Sequence, residues 1–469
     1  MNPLPLRSSS ARKSTSVQNC KRFFLTGLLA VCFACTARAQ IDGLALQSQV
    51  PTASVTVNPA LDTQNNWHIW LPGLGGLSTA AGHSAFTLSD ALDGNYLDIE
   101  RVLGTLDGTN HLWTETRVPV FQGGFRVRNL YFRLGAAAVS ESRLAYPGEL
   151  LELAWKGNGH PDLIGRRLNF DGFGVNAKGY TDVYLGATAN LMEGRLNIGG
   201  NVHLLNGIGT IYTQNSRLGL TTDAEDYTLT ADGEFDLLVG GAVLLDSNVV
   251  EFDAANIGSG VNLGLAVDLG ASFSLEDWTV DASVMNLGGI RWEENATQYT
   301  LSDAEFSFSG FDLQEFIDNP DSTEAVLNTV VDSLTTVFSV DETPTSFRTP
   351  TSARVQVTVR RSLWEGGQVY AGFNSVRRLG EPFNGMHFGA SHQFGRVLTL
   401  QAGAQWFEGD QVLIGAGFAL RAGPVLLFAQ SGNIPGLVRP ENHKTWQGSF
   451  GLVLAFGRPN VGGEATGAR

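Results

Sequence analysis

Between Val261 and Trp292, large and small side chains alternate over two runs joined by a two-residue polar turn. Val261, Leu263, Leu265, Val267, Leu269, Ala271, Phe273 and Leu275 share one face of the first run. Asn262, Gly264, Ala266, Asp268, Gly270, Ser272 and Ser274 share the other. Glu276-Asp277 turns the chain, and Trp278, Val280, Ala282 and Val284 resume the apolar face opposite Thr279, Asp281 and Ser283. A side-chain period of two is the repeat of a strand, and both runs exceed the usual globular strand length. A soluble sandwich would carry Lys and Glu on its outer face. Here the polar face is Gly, Ser and Asn with a lone Asp, which suits a membrane-barrel lumen and leaves the aliphatic face for lipid. The competing reading is a large soluble β-protein with long hairpins.

The same alternation recurs along the chain. Leu130 to Ala138 opposes Tyr131, Arg133 and Gly135, and Leu196, Ile198, Val202 and Leu204 oppose Asn197, Asn201 and His203. From Ser352 onward it hardly stops, and the closing run ends at Phe456, like the assembly signal of bacterial outer-membrane barrels. Thirteen residues follow Phe456, where many barrels stop. Trp278, Trp292, Trp364, Trp406 and Trp446 fall near strand ends, where an interfacial girdle is expected. The expected fold is therefore all-β, a transmembrane antiparallel β-barrel of about fourteen strands (bounds of about 12–16) with short helical inserts.

The amino terminus has the pattern of a secretory signal over residues 1–39. Its basic start carries Arg7, Arg12, Lys13, Lys21 and Arg22, and Phe23 to Ala34 is an apolar core too short to span a bilayer as a helix. Ala37-Arg38-Ala39 predicts cleavage between Ala39 and Gln40. Val31 before Cys32 argues against a lipoprotein signal. Cys20, Cys32 and Cys35 are the only cysteines, so the exported chain has no thiol for a disulfide or a Cys-based metal site. Lys and Arg total 31 against 46 Asp and Glu; six basic and no acidic residues precede Gln40, leaving 25 against 46, a net −21. So acidic a chain is a poor binder of nucleic acid. Its charged fraction of 16% is low for a soluble domain, and no long apolar run follows the signal, which excludes helical spans.

The organisation read from these patterns places an amino-terminal segment over residues 40–66, the barrel over 67–457 and a tail over 458–469. The barrel is interrupted by inserts at 87–106, 147–155 and 293–349. The first and third have helical spacing, the third over Phe311 to Phe338, and the second opens with Pro147, favourable at a helix start. Pro119 and Gly123-Gly124 predict a bulge or an edge position. Thr222 to Asp236 is acidic but lacks the calcium-loop spacing, and reads as a surface loop.

Chemistry is sparse. No phosphate loop or dinucleotide fingerprint appears, the eight histidines lack ligand spacing, and no metal or cofactor is expected. Ser84 and His111 are the pair to check for a hydrolase. Candidate ligand-contacting residues on the lumen side are Asp268, Asp281, Arg354, Arg360 and His203. Asp268 and Asp281 could form a cation-attracting pair, or bind lumen Arg or Ser, with Arg354 and Arg360 as partners.

Three phrases carry a resemblance. Asn58-Pro59-Ala60, just before the first strand, resembles the NPA element of FadL-type fatty-acid channels and of PorV and PorQ barrels of type IX secretion. Val267 to Ala271 followed by Ala282 to Trp292 is similar to a hairpin of that superfamily in Bacteroidetes-type barrels. Tyr146 to Leu150 with Trp155 to Gly159 is similar to such barrels of unknown function. The resemblance implies a FadL-like barrel, with Asn58, Pro59 and Ala60 as a plug motif at or in the lumen, and no catalytic residues. It implies a Gram-negative outer membrane, surrounding lipid, and a gated channel for small hydrophobic molecules. The alternative is a PorV-like partner or shuttle that meets a secretion-system protein. An outer-membrane hydrolase is the third reading.

Overall fold

The computed structural model describes residues 53–63, 65–70, 76–93, 96–246, 249–252, 262–308, 340–378, 381–407 and 412–457. The signal, its Ala39–Gln40 cleavage point, the helical spacing of 311–338 and the tail 458–469 lie outside the described residues. Among the described residues fourteen strands form one closed antiparallel barrel. The first, β1, is in two pieces, Trp67–Trp70 and Leu77–His83. Then come β2 (Thr109–Val127), β3 (Leu130–Pro147), β4 (Gly174–Leu191) and β5 (Leu196–Thr222). β6 (Leu263–Leu275) and β7 (Trp278–Trp292) are the hairpin that opened the sequence analysis. β8 (Arg354–Trp364), β9 (Gly367–Arg378), β10 (Glu381–Phe394) and β11 (Leu398–Phe407) follow. β12 (Leu413–Ala422), β13 (Val425–Ser431) and β14 (Thr445–Phe456) complete the wall.

Each strand pairs with its chain neighbours, and β14 returns to both pieces of β1, with Trp67 opposite Phe456 and Leu77 opposite Phe450. The Trp67 and Phe456 rings stack at 3.8 Å across this seam. No edge is left in the ring of fourteen, which a lipid-facing sheet requires because lipid offers no hydrogen bonds.

The alternation decides which face meets what. Leu265 and Leu269 on β6 are 60% and 62% exposed, whereas Asp268 between them is fully buried. Leu263, Phe273, Leu275, Val280, Val355 and Val357 join the exposed aliphatic face. The 13 residues of β6 extend about 43 Å, or about 33 Å of rise at a tilt of about 40°, enough to cross a hydrocarbon core of about 30 Å. No helix of the described residues is long and apolar enough to cross a membrane.

One end of the barrel has tight connections, at 128–129, 192–195, 276–277, 365–366, 395–397 and 423–424, and there both Trp67 and Phe456 lie. The other end carries the longer excursions. The insert at 87–106 holds helices Leu88–Ala91 and Ile99–Thr105, the former closed by a capping box between Thr87 and Asp90. After β3, helix α1 (Gly148–Lys156) follows Pro147, in the place the sequence expects.

Two stretches depart from the sequence reading. β5 has 27 residues: its first half pairs with β6, and its second half pairs with a strand at Leu229–Gly241. Only 223–228 of the acidic stretch is therefore a turn, and Asp232, Glu234 and Asp236 lie on a strand. Likewise the region 293–349 contains strands Thr297–Phe308, Asp341–Pro344 and Phe347–Pro350, which continue this sheet beyond the barrel wall.

Trp292 is a correction to the expected girdle. Trp278, Trp364 and Trp406 are about half exposed, but Trp292 is fully buried among Ile290, Leu205 and Ala266, and its indole N–H donates to Thr349 Oγ1 at 2.9 Å. The cause is a register shift between Val267 and Leu269, opposite Asn286, whose φ is 53°. One extra residue there flips the inward face of β7 from odd to even positions. A second expected irregularity, at Pro119, is present as a register shift between Pro119 and Phe121.

Candidate functional site: the interior and the amino-terminal segment

The inward face of β3 to β8 concentrates buried charge. On β6 the alternation turns Asp268 inward, opposite the bulge on β7, and its Oδ1 accepts the Asn286 backbone N–H at 2.6 Å. Its Oδ2 accepts from Asn201 Nδ2 at 2.7 Å and from His203 Nε2 at 2.8 Å, both on β5. His203 Nδ1 lies 2.8 Å from Asp182 Oδ1 on β4, and Asp182 Oδ2 accepts from Arg117 Nη2 at 2.6 Å. Asn201 Oδ1 accepts from Arg133 Nε at 2.6 Å. These groups form one continuous chain from Arg117 to Arg133.

A second pair is separate. Arg360 holds Asp281 with two N–H donors at 2.6 and 2.9 Å, the fork geometry of guanidinium on carboxylate. A third cluster centres on Glu141, which accepts from Tyr180 at 2.9 Å and Ser352 at 2.5 Å and pairs with Lys178 at 3.2 Å. Asp268 and Asp281 thus each have their own partners and form no joint cation-attracting pair. Of the two arginines named beforehand, Arg360 takes Asp281, whereas Arg354 donates to the Thr56 carbonyl at 3.2 Å.

Residues 53–63 lie against these inward groups. Helix Ala53–Thr56 leads into Val57, Asn58, Pro59 and Ala60, all buried. Asn58 Oδ1 accepts the Ala60 backbone N–H at 2.8 Å, an Asx turn that tightens the chain at Pro59. The Pro59 carbonyl accepts from Arg133 Nη2 at 3.0 Å and from the Thr188 hydroxyl at 2.6 Å. Ser283 donates to the Val57 carbonyl at 2.8 Å, and Asn58 Nδ2 to the Ala271 carbonyl at 3.3 Å. Further along, Asp62 pairs with Arg126 and accepts from Asn190 Nδ2 at 2.7 Å. The wall is flattened to receive the segment: a Cβ on Gly199 would stand 1.9 Å from the Pro59 carbonyl oxygen, and one on Gly270 2.0 Å from Asn58 Oδ1.

The opposite arc has another chemistry. From β10 to β14 the buried polar groups on its described strands are His387, Ser391, Gln401, Gln405, Ser431, Thr445, Gln447 and Ser449, with no acid or base among them other than one imidazole. Gln401 donates to Gln430 at 2.9 Å and Gln430 to Ser449 at 3.2 Å, while both amide atoms of Gln447 lack a partner. Apolar interior surface flanks the charged band on both sides. Trp70, Leu426, Phe428 and Val453 cluster towards the terminal end, and Val139, Leu205, Ile290 and Trp292 towards the loop end.

Ser84 and His111 meet without forming a nucleophile and base. The Ser84 Oγ accepts the His111 backbone N–H at 2.8 Å, and the imidazole is turned to Arg143 Nη2 at 3.1 Å. Among the described residues no group of three or more His, Cys, Asp or Glu could hold a metal ion. At the loop end a cleft of about 600 Å³ opens between α1 and the 99–105 helix, lined by Leu103, Asp107, Glu149, Glu152 and Asp171. Glu152 there is held below the usual carboxylate range, mainly by the hydrogen bond from Lys156, at 3.0 Å, with Arg166 adding to it. Sequence reasoning missed Arg117, Arg133, Glu141, Lys178 and Asp182. The available signal was a charge at an inward position of an alternating strand.

Among solved structures, the chain is similar to the toluene transporter TbuX of Ralstonia pickettii, with 10% identity, a TM-score of 0.43, and coverage of 87% of this chain and 95% of that one. It is similar to the toluene transporter TodX of Pseudomonas putida at 10% identity and a TM-score of 0.40, covering 89% and 93%. A FadL homologue of Pseudomonas aeruginosa matches at 9% identity and a TM-score of 0.39, covering 88% and 95%. No curated protein is similar to it by sequence at a significant level. The match that spans most of the sequence is to a family model over residues 59–432, and the chain belongs to that family, the family of unknown function DUF5723.

Proposed function

We propose that the protein is an outer-membrane channel for small hydrophobic molecules, gated by residues 53–63 acting as a plug, with Asn58-Pro59-Ala60 at its tip. The observation that carries this reading is the placement of that segment inside a closed barrel, bound to inward groups of β3, β4, β6, β7 and β8. All five of these contacts end on backbone carbonyls, so the segment gives up no charge of its own in them. The apolar clusters on either side of the polar band supply interior surface that an apolar solute can displace. Short turns at the terminal end and longer excursions at the other match the periplasmic and external sides of such barrels, so export through a signal at 1–39 belongs to the same reading.

The direct test is uptake of a radiolabelled long-chain fatty acid and a radiolabelled monocyclic aromatic by cells with and without the gene. Faster entry of at least one with the gene supports the channel. Equal entry of both, together with recovery of a stoichiometric secretion-system protein from solubilised membranes, would replace it with the PorV-like reading.

A further inference from the structure

One member of the chain that ends on Pro59 has its charge dictated by its neighbours. His203 Nδ1 and Nε2 each lie 2.8 Å from a carboxylate oxygen, on Asp182 and Asp268 respectively. An ionised carboxylate only accepts, so both ring nitrogens donate and the ring is an imidazolium. Arg117 lies on the far side of Asp182, so each of the two acids has a cation beside it. Tyr184 packs its ring beside the imidazole, with centroids 5.6 Å apart, and brings no charge.

The orientation of the imidazolium is passed on. Asp268 Oδ2 is shared by His203 and the amide nitrogen of Asn201. With its nitrogen committed there, Asn201 must present Oδ1 to Arg133 Nε. Arg133 then has Nη1 on Thr188 at 2.6 Å and Nη2 on the Pro59 carbonyl, and the Thr188 hydroxyl donates a hydrogen bond to the same carbonyl. We infer that His203 is a positioning residue for the amino-terminal segment. Bridging Asp182 and Asp268, it holds Asp268, Asn201 and Arg133 in the one arrangement that grips Pro59. Remove the bridging charge and two buried carboxylates face each other; Asp268 is then pushed from its place, Asn201 and Arg133 move with it, and the grip on Pro59 loosens.

The inference rests on the reading of 53–63 as a plug, and its test reads the segment itself. Ala60 is fully buried, and Cys20, Cys32 and Cys35 are the only native thiols. With those replaced by Ser, an Ala60→Cys protein in lipid vesicles reports plug release by its labelling rate with an impermeant maleimide. His203→Gln is expected to speed labelling by about tenfold, as a shifted closed–open population would. Adding Asp182→Asn, which removes the facing charges, keeps an oxygen for Arg117 and leaves Asp268 to orient Asn201, is expected to bring the rate back towards the parent. His387→Gln, a buried interior histidine outside the chain of contacts, is expected to change nothing.

Labelling of folded, heat-modifiable His203→Gln at the parent rate would overturn the inference. So would a double variant as fast as the single, since that points to lost ring volume alone. Should His203→Gln fail to fold, Thr188→Val removes the hydroxyl that donates to Pro59 and accepts from Arg133 Nη1 while leaving every ionised group in place; labelling several-fold faster supports the grip, and an unchanged rate refutes it. Faster labelling without faster hydrophobe uptake keeps the grip and removes the transport reading; normal uptake with unchanged labelling does the reverse.

Discussion

The two arcs of the barrel interior are built on the same alternating strands and do different things. From β3 to β8 the inward positions carry the buried ion pairs, and the amino-terminal segment lies against them. From β10 to β14 they are mostly amides, hydroxyls and glycines with several unpaired atoms. Fixed charges in a low-dielectric wall hold one geometry because any other leaves a charge unpaired, whereas amides tolerate rearrangement. The contrast teaches that a strand pattern sets the barrel, and that the inward side chains then divide it into a rigid side and a permissive one.

The largest effect should come from breaking one ion pair of the rigid arc. Arg360→Met leaves Asp281 buried and alone, and is expected to cost about 3–5 kcal/mol in urea unfolding from lipid vesicles. Adding Asp281→Leu should recover most of it; a double variant as unstable as the single would mean that the pair is not what Arg360 contributes.

Glycine substitution separates the arcs next. Gly199→Ala drives a Cβ against the Pro59 backbone carbonyl and should cost about 1–3 kcal/mol in the same assay. Gly432→Ala meets only the amide ends of Gln447 and Gln405, which can swing aside, and should cost less than about 1 kcal/mol. Equal costs would erase the distinction between the arcs. Gln447→Leu goes further: replacing a buried amide without partners by an apolar group of similar shape is expected to be neutral within about 1 kcal/mol, or stabilising.

The smallest effect lies outside the membrane, on the acidic cleft at α1. Glu152 binds protons less readily folded than unfolded, so its contribution is full above the ordinary Glu range and is lost as pH falls through the depressed folded value. The hydrogen-exchange protection of α1, taken relative to the intrinsic rate at each pH, should therefore fall on acidification below about pH 4, and less so in Glu152→Gln. A pH response identical in the two proteins would show that the Lys156 contact does nothing for the helix.

Much of this was legible from residues alone, and the exceptions have physical causes. The β6–β7 hairpin, its turn at Glu276-Asp277 and its lipid face followed from alternation, as did the count of fourteen strands and the helix after Pro147. Alternation is a parity argument, however, and a single bulged residue reverses it. The shift at Asp268 and Asn286 is why Trp292 points inward while Trp278 on the same strand points out. Asp232, Glu234 and Asp236 read as loop because their charge outweighed the alternation with Phe235 and Leu237, and a strand beyond the membrane rim tolerates such charge. The grip on Pro59 was not legible, because Arg133, Thr188, Asn201 and Asp268 meet only through the register of four neighbouring strands, which alternation alone leaves open.

Single-channel conductance tests the central claim most directly: that the rigid arc keeps residues 53–63 in the lumen. The unmodified protein and an Arg133→Met/Arg354→Met variant, which loses donors to Pro59 and Thr56, would be compared in one planar bilayer. The account predicts an almost silent parent and frequent, discrete openings in the variant. A parent that conducts as often and at the same level as the variant would contradict it.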